Sequence, residues 1–214
     1  GPGAREAADI RKNDSHLSDA TVSSTDAAPA TAKNLKIDLV WVMDTTISME
    51  PHLKKSLEVV QEVSRQITSS EIPEQAIRFG FWGYRDSADE IPGIGYTTKN
   101  YTPQLQPVDQ FLNTLAGASV TKTDSVDWPE DLFSGVDDAI SRTVWTDGAI
   151  RLIILIGDAP GHDLGHKWNL SGQNEDTLRS LANGSKTYVY SIFIKDTRAK
   201  KHFSRAQTQF KKLS

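Results

Sequence analysis

Three aspartates stand at the ends of apolar runs or just ahead of a helical segment, and hydroxyl residues flank the first of them. Asp44-Thr45-Thr46-Ile47-Ser48 closes the run Ile37 to Met43, Asp158 follows the run Leu152 to Ile156, and Asp127 stands two residues before Pro129. In an open parallel sheet, ligands bind beyond the carboxyl ends of the strands, so Asp44, Thr46, Ser48, Asp127 and Asp158 are candidates for one crevice. Two carboxylates ~4 Å apart repel by about 4 kcal/mol at an effective dielectric of about 20. Three crowded together must protonate, separate or bind a cation. The chain has no cysteine, so thiolate sites and disulfides are excluded. The oxygen donors favour Mg²⁺, with Mn²⁺ or Ca²⁺ as alternatives, over zinc. The competing reading makes one aspartate a helix cap and leaves the others as solvated loop residues.

His162 and His166 stand four apart beside Asp158. On a helix such a pair can hold zinc, but Pro160, Gly161 and Gly165 argue against a helix, which leaves two solvated or hydrogen-bonding imidazoles near the crevice. His52 reads as an exposed first-turn residue. Trp41 and Trp82 fall within strands and read as core; Trp128 and Trp168 lie in loops and, with His162, are the candidates for touching a partner, since aromatic residues serve as interface anchors. Arg85-Asp86 reads as a structural pair or as a group orienting the crevice. Hydrolysis finds little support. An aspartate after a buried strand resembles haloacid-dehalogenase-type phosphatases, but their acid/base aspartate would fall on Thr46. No Gly-rich phosphate loop with its Lys and no nucleophile elbow is present.

Positioning these residues requires alternating strands and helices. A nearly continuous apolar run rich in β-branched residues at 37–43 suits a strand covered on both faces, and 77–82, 152–156 and 188–194 read as further strands. Leu53, Leu57, Val60, Val63 and Ile67 recur at helical spacing; Pro107–Leu115, Pro129–Thr143, Glu175–Ala182 and Ala199–Leu213 have helical spacing as well. A short extra edge strand is expected within Pro92–Pro103. The fold class is therefore α/β, a doubly wound, mostly parallel sheet with helices on both faces. Residues 1–34 carry few large apolar side chains and read as a linker behind a tag-like Gly1-Pro2-Gly3, with one domain over 35–214. With 24 basic and 28 acidic residues the net charge is −4, which argues against nucleic acid as a partner. No stretch has the ~18 apolar residues of a membrane span.

Asp44-Thr45-Thr46-Ile47-Ser48-Met49 resembles the Asp-x-Ser/Thr-x-Ser signature of von Willebrand factor type A domains, whose metal-ion-dependent adhesion site holds a divalent cation for protein recognition. Phe81-Trp82-Gly83-Tyr84-Arg85-Asp86, Asp127-Trp128-Pro129-Glu130-Asp131 and Gly157-Asp158-Ala159-Pro160-Gly161-His162 resemble further segments of bacterial members. More narrowly, the chain is similar to the C-terminal domain of serine/threonine kinases associated with bacterial type VI secretion. The resemblance implies a Rossmann-like fold and a non-catalytic, metal-dependent module that binds a protein partner. Asp44, Thr46, Ser48 and Asp158 would be ligands. At the second loop, where a threonine is more familiar, Asp127 is preferred over Thr121 or Thr123. Ile47 stands where relatives often have glycine. Three ionised aspartates around a divalent cation leave a charge of −1, so firm metal retention but weak capture of acidic ligands is expected. The narrower similarity places the domain on the periplasmic side of a membrane-anchored protein, with the cytoplasm as the alternative compartment. Because such folds add a strand after the last helix, an open sheet edge and weak self-association are also expected.

Overall fold

A computed structural model describes residues 8–12, 35–125 and 127–214. Its strands are β1 (Ala8–Lys12), β2 (Ile37–Asp44), β3 (Ile77–Tyr84), β4 (Thr98–Asn100), β5 (Ile150–Gly157) and β6 (Thr187–Ile194). The helices are α1 (Glu50–Thr68), α2 (Val108–Leu115), α3 (Leu132–Arg142), α4 (Glu175–Gly184) and α5 (Phe203–Leu213). The sheet order is β1-β6-β5-β2-β3-β4. The central β2 runs parallel to β3 and β5, and β5 parallel to β6. The short β4 lies antiparallel on β3, where the threonine- and tyrosine-rich segment was expected to add an edge strand.

All eight residues of β2 are buried, which explains why its sequence does not alternate apolar and polar side chains. Leu39, Trp41 and Met43 pack with α1 and α2, while Val40 and Val42 pack with α3, α4 and α5. Gly135 of α3 lets the helix approach the sheet closely: a Cβ there would lie 2.8 Å from the buried Tyr84 ring. α4 starts at a reciprocal cap in which Asn174 accepts from the Thr177 N–H and Thr177 Oγ1 accepts from the Asn174 N–H.

The edge beside β6 differs from expectation. Ala8–Lys12 pairs antiparallel with β6, from Ala8↔Ile194 to Lys12↔Tyr190, so part of the segment read as linker is a strand and supplies the covering expected to be missing. Backbone N–H and C=O groups along an edge need partners, and five residues in extended conformation supply them whatever their composition. The linker reading for the rest of 1–34, and the tag-like start, lie outside the described residues. Among the described residues no helix is long and apolar enough to cross a membrane.

Candidate metal centre

Strand register gathers the acids at one end of the sheet. Asp44 stands opposite Tyr84, and Met43 opposite Ile156, so Asp86 and Asp158, each within two residues of those positions, emerge at the same level. Gly157 makes room between them, since a Cβ on it would sit 2.5 Å from the Tyr84 hydroxyl and 3.2 Å from Asp44 Cβ.

After Asp44 the chain turns tightly. Asp44 Oδ1 accepts the Thr46 N–H at 2.8 Å and also the Thr46 hydroxyl, an Asx-type turn that leads through the 3₁₀ segment Ile47–Met49 into α1. Ser48 Oγ lies 3.4 Å from Thr46 Oγ1 and donates to Asp158 Oδ1 at 3.3 Å. Asp44, Thr46, Ser48 and Asp158 thus form one continuous oxygen set, all buried. Asp44 Oδ2 and Asp158 Oδ2 are sealed from solvent and find no donor. Burial raises both carboxyls above their ordinary range. At Asp158 the Asp44 charge adds to burial, whereas the Thr46 donors partly offset burial at Asp44.

The second loop carries two carboxylates near the centre, and they differ in burial. Asp127 is exposed, and its oxygens cluster with the rings of His162 and His166. Glu130, three residues on, is 3% exposed, and burial pushes its carboxyl well up, with the charges of Asp44, Asp86 and Asp158 adding to the effect. Its backbone N–H is held by Pro160 O at 3.0 Å and its Oε2 by the Ser125 hydroxyl at 3.0 Å. Asp127 and Glu130 both line the crevice beside Ser48, and Glu130 is the buried one. Both belong to the same Asp-x-Pro-Glu motif, and the feature that separates them, burial beneath the third loop (residues 158–174), has no trace in the sequence. Thr121 lies against the first loop, its N–H donating to Thr45 O at 3.0 Å, whereas the Thr123 hydroxyl is held by Gly93 O.

Several expectations for neighbouring residues also change. His162 is buried, with Nε2 2.9 Å from Asp86 Oδ1, because the third loop folds inward over the end of β3. Trp168 is buried against Ile91 and Ile94. Neither presents the exposed surface expected of a partner contact; Trp128, half-buried, does. Its indole N–H donates to Asp158 O at 3.3 Å, and its ring lines an open crevice of 510 Å³ with Ile47, Ser48 and Glu130. Arg85 braces loops by donating to Thr45 Oγ1, Ile94 O and Ser119 O, and Asp86 pairs with His162, so of the two readings of Arg85-Asp86 the arrangement is that of groups bracing the crevice loops. His52 is half-buried and bonded to Asp196 at 2.8 Å. Burial pushes the Asp196 carboxyl up, but hydrogen bonds from Arg198 and His52 outweigh it and hold it below the usual range. Arg198 also donates to Ser48 O at 2.7 Å, fastening the first loop from outside.

The arrangement can do one thing well: hold a hard divalent cation on buried carboxylate and hydroxyl oxygens. The orphaned Oδ2 atoms fit such an ion, which would supply the partner that both buried oxygens lack.

The chain matches no protein-family profile and no curated protein. Among solved structures it is similar to proximal thread matrix protein 1 from the mussel byssus, with a TM-score of 0.57 at 8% identity, covering 84% of this chain and 39% of that one. A second structure of that protein, described as having a zinc-occupied MIDAS motif, aligns with the same TM-score at 10% identity. The chain therefore spans about two fifths of the length of the structure it resembles. At this identity the likeness establishes the doubly wound, mostly parallel α/β fold.

Proposed function

We propose that this chain is a non-catalytic, metal-dependent protein-interaction domain whose cation is held by Asp44, Thr46, Ser48 and Asp158, with Glu130 beside them. The observation that carries the reading is the pair of buried, donorless carboxylate oxygens at the centre of a hydroxyl-lined set. A divalent ion bound there supplies charge neutralisation and a coordination position for a partner's oxygen. Mg²⁺ or Mn²⁺ suits the donors, and the zinc described for the byssus protein shows what else such a motif can take. Trp128 and the crevice it lines provide the contact surface around the ion. The motif resemblance further supports a place in the periplasmic part of a membrane-anchored kinase linked to type VI secretion, with an unidentified protein as partner.

The test is thermal denaturation of chelator-treated protein titrated with Mg²⁺ and Mn²⁺. At a hundredfold excess over the dissociation constant, linkage predicts about 2.7 kcal/mol of stabilisation. A melting curve that ignores both ions, or one that shifts equally in Asp44→Ala, overturns the assignment. Metal-dependent turnover of a phosphoester, lost in Asp44→Asn, would make the centre catalytic instead.

A further inference from the structure

We propose that Asp127, His162 and His166 form a second divalent-metal site, of the zinc class, between the second and third loops and outside the oxygen-lined centre. One ligand atom from each residue lies within 4.8 Å of the other two. Two imidazoles and one carboxylate are the donor set of Zn²⁺ or Co²⁺ rather than of Mg²⁺. The sequence argues against a helix here, and the structure agrees; the loop itself brings the rings together, stacked at 4.8 Å between centroids and 11° between planes.

The second observation concerns His162. Asp86, fully buried, accepts from His162 Nε2 at 2.9 Å. An ionised Asp86 holds a proton on Nε2 and leaves Nδ1 as the atom that would face a metal. A carboxylate behind a histidine is the arrangement that fixes tautomer and orientation in metal-ligating imidazoles. The loop is held further by Asn169 Nδ2, which donates to His162 O at 3.0 Å. Trp168 packs edge-on to both rings, 5.8 Å from His162 and 6.1 Å from His166.

His166 sets the cost. Its Nδ1 accepts the Trp168 backbone N–H at 3.1 Å. A metal on Nδ1 takes that lone pair; a metal on Nε2 moves the proton to Nδ1. Either way the Trp168 N–H loses its acceptor. Loading thus has a signature at a residue that is not a ligand.

The experiment uses the full chain in excess Mg²⁺, which occupies the Asp44 centre, with Co²⁺ as a visible probe and Zn²⁺ as its competitor. Asp127 and His166 are exposed, so Asp127→Asn and His166→Ala are expected to fold, as their unchanged Mg²⁺-dependent melting shift would confirm. Each should weaken Co²⁺ and Zn²⁺ binding by at least about tenfold, and Zn²⁺ should shift the Trp168 amide resonance in the wild type only. Asp158→Asn should retain the site while losing the Mg²⁺ response, which separates failure of this proposal from failure of the first. Equal Co²⁺ and Zn²⁺ affinity in the wild type and both loop variants, an unmoved Trp168 amide, or loss of the probe signal in Asp158→Asn alone would overturn it.

Discussion

Replacing Asp158 by asparagine should make the metal-free protein more stable and the metal-loaded protein less so. In the free state Asp44 and Asp158 are both buried and both raised by burial, with the Asp44 charge adding to the effect at Asp158. Near neutral pH the pair must hold a proton against the bulk or bear a repulsion of about 4 kcal/mol at ~4 Å and an effective dielectric of about 20. Asparagine keeps the shape, keeps an acceptor for the Ser48 hydroxyl, and offers an amide donor to the orphaned Asp44 Oδ2. Allowing for imperfect geometry, the gain is about 1–3 kcal/mol, and each kcal/mol moves the melting point of a domain this size by roughly 2–4 °C. The gain should shrink as pH falls, because the wild-type pair, raised by burial, becomes more fully protonated. With Mg²⁺ at a hundredfold excess, the wild type gains about 2.7 kcal/mol and the variant nothing, so the two stability orders cross. Melting curves at about pH 7.5 and about pH 5, with chelator and with Mg²⁺, read all four corners. A variant less stable than the wild type in chelator, or one still stabilised by Mg²⁺, refutes the reasoning.

Glu130→Gln should weaken Mg²⁺ binding by about tenfold or more, whereas Asp127→Asn should change it by less than about twofold; calorimetry compares them directly. Asp131, whose carboxyl burial raises from 3.8 to about 6, binds its proton more tightly folded than unfolded. It therefore favours the unfolded state progressively as pH rises from about 4 to above 6, by up to about 3 kcal/mol, and denaturant midpoints in chelator should fall across that window. Gly135→Ala drives a methyl into the Tyr84 ring and should cost about 1–3 kcal/mol, measurable by urea unfolding. Deleting residues 1–13 removes β1 and uncovers the β6 edge, so light scattering should show concentration-dependent self-association absent from the full chain.

Local pattern determined the strands, the helices and the first loop. β-branched runs specify buried strands through side-chain periodicity and packing, and Asp44, Thr46 and Ser48 fall together within one turn, so neither needed knowledge of distant residues. Asp158 was legible because the end of a parallel strand places it beside that turn. Tertiary structure decided the rest, because burial and electrostatic environment are sums over elements far apart in the chain. Asp86 meets His162 across 76 residues, turning an expected rim histidine into a buried one. Glu130 rather than Asp127 is buried because it lies under the third loop, and Trp168 became core only because Ile91 and Ile94 reach it. The strand Ala8–Lys12 was invisible for a different reason: its pairing runs through backbone groups that every residue carries, so only the unmatched edge of β6 reveals the need for it.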